Sequence, residues 1–152
     1  MAALVADPQD PSDSVALNLE LTLRHLNHTM ARTEIWREVT FESAHRLPNV
    51  GHGHKCARLH GHSYRARIYV TGEVDAVAGW FMDLGVLKER IEPVRLQLDH
   101  YYLNEIEGLE NPTSENLARW MWQRLQPSIP GLCRIEIMET CLSGCRYEGD
   151  EA

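Results

Sequence analysis

Between His62 and Gly72 the side chains change character at every step. Tyr64, Ala66, Ile68 and Val70 fall on one parity, and Ser63, Arg65, Arg67 and Thr71 on the other. A repeat of two marks a strand with one face in a core and the other in a polar setting, so this stretch commits the chain to a sheet. The same parity runs back through His62 to His60, so both imidazoles of His60-Gly61-His62 project from one face, and Gly61 leaves room beside the backbone for a metal or ligand.

The remaining elements follow from the same kind of pattern. Ile35, Val39 and Phe41 recur at even intervals, and their parity carried forward reaches His45. Gly72 to Gly79 is rich in turn formers and leads through a short apolar segment, Trp80 to Met82, to Asp83. Asp83 is an N-cap residue for a helix with Leu84, Leu87 and Ile91 on its buried stripe. Pro112-Thr113-Ser114-Glu115 opens a second helix, with Leu117, Ala118, Met121 and Leu125 inward before Pro127, and Pro130-Gly131 closes the connection that follows. Cys133 to Glu139 is the last expected strand, with Ile135, Ile137 and Glu139 on one parity. This order predicts an α+β fold built on an antiparallel sheet, in one domain over residues 33–149. Residues 1–32 form an N-terminal extension, expected to be disordered over 1–12 and weakly helical over 15–26; Met30 is an alternative start, and residues 150–152 are a tail.

Charge and hydropathy exclude several function classes. The chain has 15 Lys and Arg against 22 Asp and Glu, a formal charge of −7, and lacks the basic block that holds nucleic acid by counterion release. No apolar run approaches the roughly 18 residues of a membrane span. Asp7, Asp10 and Asp13 stand where a signal peptide carries Lys or Arg. The expectation is a cytoplasmic protein without nucleic-acid or membrane partners, whose Cys56, Cys133, Cys141 and Cys145 stay reduced.

Histidine is where the composition is unusual: of eight in the chain, four lie within residues 52–62. If the first two strands pair, His45 joins His60 and His62, and three neutral nitrogens with an open fourth position are the ligand set of a catalytic zinc. A chance pair of histidines on a wet loop is the competing reading. Cys56 lies four residues before His60. A free thiol is only about 3% ionised at neutral pH, so as a base or nucleophile it needs Lys55, Arg58 or the metal nearby; as a fourth ligand it would close the site instead. His52 and His54 read as loop histidines without a metal. Asp99-His100 suits proton transfer, but adjacent residues do not automatically bond each other, and a surface Asp-His pair is the commoner arrangement. Glu139, inward after Ile135 and Ile137, needs a donor: either a structural Arg or a ligand with two parallel N–H groups, such as the amino-pyrimidinone edge of a pterin or guanine. Cys141 and Cys145 form a single pair without the second that a zinc ribbon requires, and read as structural.

Five ordered motifs together resemble a known family. Phe41-Glu42-Ser43-Ala44-His45-Arg46-Leu47-Pro48, Cys56-Ala57-Arg58-Leu59-His60-Gly61-His62, Leu98-Asp99-His100-Tyr101-Tyr102-Leu103-Asn104, Asn111-Pro112-Thr113-Ser114-Glu115-Asn116 and Glu139-Thr140-Cys141 are similar to those of the 6-pyruvoyl-tetrahydropterin synthase superfamily. The three residues between Cys56 and His60 resemble its 6-carboxy-5,6,7,8-tetrahydropterin-forming bacterial branch. The resemblance implies a tunnelling fold: a four-stranded antiparallel sheet with two helices on one face, three sheets closing a barrel, two trimers stacking as a homohexamer, and active sites between subunits. It implies Zn2+ on His45, His60 and His62, Cys56 as proton acceptor, His100 supported by Asp99 in proton relay, and Glu139 anchoring the pterin and aiding the relay. It also places Thr113 and Glu115 near the pterin. The implied substrate is 7,8-dihydroneopterin triphosphate, and Lys55, Arg58 and Arg46 are candidate triphosphate contacts by charge and nearness in sequence. The implied pathway is queuosine biosynthesis.

Overall fold

The computed structural model describes residues 32–150, and the expected helix over 15–26 lies outside them. Strand β1 spans Arg32–His45 and β2 spans His60–Glu73, with a short 3-10 turn at Lys55–Ala57 in the connection. Helix α1 is Leu84–Leu98, β3 is Tyr101–Tyr102, α2 is Ser114–Leu125, β4 is Leu132–Met138 and β5 is Cys145–Tyr147. The strands form one sheet in the order β3-β1-β2-β4-β5.

The expected α+β architecture is present, with two differences in the sheet. It has five strands instead of four, and β3 runs parallel to β1 through Ser43–Tyr101 and Ala44–Tyr102. The two strands that the sequence pattern does not place are short edge pieces of two and three residues. A period of two cannot declare itself over so short a stretch, so only pairing with a neighbour creates them. Trp80 to Met82, open in the sequence to strand or helix, forms neither.

The core lies on the face that the alternation marked. Tyr64, Ala66, Ile68, Ile135 and Ile137 are fully buried there, in one cluster with Leu87, Ile91 and Leu98 of α1 and Leu117, Met121 and Leu125 of α2. Phe41 stacks on Tyr64 with ring centroids 5.1 Å apart. Asp83 caps α1 by accepting from the Gly85 amide, and Thr113 caps α2 by accepting from the Asn116 amide, as their residue types suggest. Leu84 does not join the stripe: it is about half exposed, and the stripe continues instead through Val94 and Leu98. It is the first helical residue after the cap, at the exposed end of the helix.

The opposite sheet face carries paired charges. Arg67 bonds Glu38 at 2.7 Å, Tyr69 donates to Glu136 at 2.7 Å, and Arg134 bonds Glu34 at 2.7 Å. Alternation thus separates an apolar face from an ion-paired one, and the histidines emerge at the end of the apolar face.

One glycine is structurally required. Gly131 has φ +80°, and a Cβ there would stand 2.2 Å from the Thr71 carbonyl oxygen, on the strand whose amide donates to the Gly131 carbonyl. Gly131→Ala is expected to destabilise the protein by about 1–3 kcal/mol or more, read as a lower denaturation midpoint in urea with an unchanged slope.

Candidate active site

Two strands bring the histidines together. His45 ends β1, and His60 and His62 open β2 on one parity; one ring nitrogen from each lies within 4.8 Å of the other two. His45 is almost completely buried. Its Nδ1 faces the Pro112 carbonyl at 2.9 Å, and Nδ1 of His60 faces the Arg58 carbonyl at 2.7 Å. A carbonyl only accepts, so both Nδ1 atoms carry the proton and both Nε2 atoms present lone pairs. Those two Nε2 atoms are 3.1 Å apart. Facing lone pairs at that distance repel, and a cation between them removes the repulsion; ligands about 2.0–2.1 Å from a tetrahedral zinc are separated by a similar amount. The donor set therefore fits Zn2+, and the two carbonyls do what outer partners of metal-bound histidines do, fixing tautomer and ring orientation. Burial lowers the His45 pKa, partly opposed by the Pro112 hydrogen bond and the charge of Glu139, which favours the neutral imidazole that binds a metal.

Beside the histidines lies a cleft of about 640 Å³, with Lys55, Cys56, Arg58, His60, His62 and Glu139 among its walls. Cys56 sits in the 3-10 turn, whose carbonyl accepts from the Leu47 amide at 2.7 Å. His54 caps that turn: its Nδ1 accepts from the Cys56 amide at 3.1 Å. The histidine read as an idle loop residue thus holds the backbone of the cysteine. His54→Ala should lower turnover about fivefold, the effect of a cap worth about 1 kcal/mol. His54→Asn, whose side-chain oxygen can cap the same amide, should recover most of it; steady-state kinetics of the two variants at equal zinc content checks this.

Glu139 stands just past the end of β4, partly buried rather than enclosed. Its donor among the described residues is not an arginine: the Ser114 hydroxyl donates to Oε1 at 2.8 Å. The start of α2 therefore serves two groups, with Pro112 orienting His45 and Ser114 orienting Glu139. Thr113, between them, uses its hydroxyl as the helix cap. Glu115 lies near Cys145, whose thiol pKa is raised by burial first and by that carboxylate second. Neither Thr113 nor Glu115 is among the residues walling the cleft.

Asp99 and His100 are in contact, Oδ1 to Nδ1 at 3.1 Å. Asp99 also accepts from the Glu42 amide at 3.0 Å and from Arg95 at 2.9 Å, and these bonds hold its carboxyl below the usual range. It is therefore an ionised partner that favours the proton on His100 Nδ1. His100 itself is largely exposed, with a left-handed φ of 62°, a conformation uncommon outside glycine. It lines a second cleft, with Glu42, Ser43, Gly61 and Tyr101, instead of the one walled by Cys56. Within one chain the structure joins His45, His60, His62, Cys56, Lys55, Arg58 and Glu139, and leaves the Asp99-His100 pair outside that group.

Comparison with known proteins gives this geometry a family. Residues 34–150 match the 6-pyruvoyl tetrahydropterin synthase family. The chain belongs to that family of pterin synthases. It is 47% identical over 119 residues to the 6-carboxy-5,6,7,8-tetrahydropterin synthase of Synechocystis, covering 74% of this chain and 91% of that protein. It is 34% identical over 93 residues to a dihydroneopterin monophosphate aldolase of Pyrococcus furiosus, covering 61% and 73%. Its fold is similar to that of 6-pyruvoyl tetrahydropterin synthase from Caenorhabditis elegans, with a TM-score of 0.74 at 29% identity over 80% of this chain and 98% of that one. The α+β tunnelling fold implied by the sequence motifs is thereby borne out at the level of the single chain.

Within this family member, Ser114, Pro112 and His54 are the residues that sequence reasoning passed over. Ser114 and Pro112 read only as helix-start residues, and what they orient is set by where α2 begins relative to β1 and β4. For His54, the placement two residues before a candidate catalytic cysteine was the available signal, since histidine can accept from an amide two positions on.

Proposed function

We propose that the protein is a zinc-dependent carbon–carbon lyase that converts 7,8-dihydroneopterin triphosphate and water to 6-carboxy-5,6,7,8-tetrahydropterin, acetaldehyde and triphosphate, in the cytoplasmic synthesis of queuosine. The observation that carries this reading is the cleft in which Cys56 stands with His60, His62 and Glu139, in a chain nearly half identical to a protein named for that product.

His45, His60 and His62 would hold the zinc, which when bound supplies Lewis-acid polarisation of substrate oxygens. Glu139, kept in place by Ser114, accepts two parallel N–H groups from the amino-pyrimidinone edge and so orients the ring. Cys56 takes a proton from the side-chain carbon. Lys55 and Arg58, on the same wall as Cys56, offer cations to the triphosphate as it leaves. His100, oriented by ionised Asp99, relays a proton. In a homohexamer built from two trimers, with sites between subunits, the exposed pair would serve the cysteine of a neighbouring chain. No described helix is long and apolar enough to cross a membrane.

Mass spectrometry of products from the zinc-loaded protein and 7,8-dihydroneopterin triphosphate, with an aldehyde trap, tests the proposal. A 6-carboxy pterin with stoichiometric trapped acetaldehyde is expected. A pyruvoyl product without acetaldehyde would mean that the reaction stops at triphosphate elimination, and no product would leave a non-catalytic pterin- or metal-binding protein.

A further inference from the structure

Tyr64 has a polar group with nothing to bond. Its side chain is fully buried, and its hydroxyl oxygen is enclosed without a hydrogen-bond partner among the described residues. Buried hydroxyls are nearly always paired, and one left unpaired costs stability. The surroundings of Tyr64 identify where a partner can come from. Its ring packs edge-on to His62 at 5.5 Å and to His45 at 5.9 Å. The antiparallel register of β2 and β4 pairs Arg65 with Met138, so their chain neighbours Tyr64 and Glu139 come to the same end of that strand pair, and both line one cleft there. A phenol keeps its proton at neutral pH, so the hydroxyl is available as a donor.

Glu139 has capacity to spare. Ser114 takes one position on Oε1, and Oε2 has no hydrogen bond among the described residues. A ligand presenting two parallel N–H groups uses one position on each oxygen and still leaves a lone pair on Oε2. We propose that the Tyr64 hydroxyl is the second side-chain donor to Glu139, engaged when an amino-pyrimidinone ligand fixes that carboxylate opposite it. Tyr64 is then a positioning residue. Two donors, Ser114 from α2 and Tyr64 from β2, clamp the carboxylate once a ligand draws it into place. This inference rests on the pterin reading of the cleft.

The test is Tyr64→Phe, which removes the oxygen alone, in the zinc-loaded full chain. Three properties are measured: thermal melting, zinc content, and calorimetric binding of 7,8-dihydroneopterin, which lacks the triphosphate. The expected result is a melting temperature equal to or above wild type, unchanged zinc, and affinity lowered about tenfold or more, the size expected for a hydrogen bond to a charged group. A ligand-minus-free infrared spectrum of wild type should show a shifted carboxylate band, assigned to Glu139 by its loss in Glu139→Gln, and the shift should be absent from Tyr64→Phe. A clear fall in melting temperature would show that the hydroxyl already has a structural partner, such as an enclosed water, and would overturn the proposal. Unchanged affinity or an unchanged carboxylate shift would also overturn it while leaving the pterin reading intact. A wild-type protein that binds no dihydroneopterin would remove both.

Discussion

Cys56→Ala is expected to keep one zinc per chain and to lose turnover of 7,8-dihydroneopterin triphosphate by about 10²–10⁴-fold, the range associated with removing a positioned proton-transfer group. Zinc should stay because the three imidazoles form their own cluster and the cysteine is not among the groups that close on it. The fold should stay because Cys56 contributes its backbone, not its sulfur, to the hydrogen bonds of the 3-10 turn: its amide to His54 and its carbonyl to Leu47. Metal analysis beside steady-state kinetics reads both quantities from one preparation. Loss of zinc together with activity would make the thiol a ligand, and unchanged turnover would make it a bystander.

The second large effect is expected from His60→Ala. Zinc should fall well below one per chain, and turnover should drop on the order of a thousandfold or more, since polarisation by a bound metal supplies several kcal/mol of transition-state stabilisation. The reason is specific to this site. His60 is the residue whose Nε2 stands 3.1 Å from that of His45, and its own orientation comes from the Arg58 carbonyl within the loop that carries Cys56. Its removal therefore takes away a ligand and also unties the metal from the cysteine segment. Full zinc retention in this variant would rule out the three-histidine site. Loss of zinc with intact turnover would separate the metal from the reaction.

Much of the site was legible in the chain because it is written on strands. A period of two fixes which face a side chain leaves, so His60 and His62 were placed together by Tyr64, Ala66 and Ile68, and His45 by Ile35, Val39 and Phe41. The same logic placed Glu139 inward after Ile135 and Ile137. Helix caps were equally readable at Asp83 and Thr113, because an oxygen that bonds an amide two or three residues ahead is a local event. Elements without a local signal were not readable. Strands β3 and β5 exist through their neighbours, and Leu84 sits on the right helical stripe but at the exposed first position of the helix.

The sequence by itself determined the alternating sheet, the two capped helices, the inward parity of the histidines and of Glu139, and a cysteine close enough in the chain to reach them. Each depends on spacing along a few residues, where backbone geometry leaves little choice. Only the tertiary structure decided the partners of those groups. Pro112 orients His45, Ser114 holds Glu139, and Tyr64 lines a cleft with that carboxylate while its own hydroxyl has no partner among the described residues. These contacts join residues far apart in the chain, and such pairings depend on how whole elements dock, which no local period encodes. The separation of Asp99-His100 from the Cys56 cleft is decided at the same level, by where α1 delivers the chain to the edge of β1.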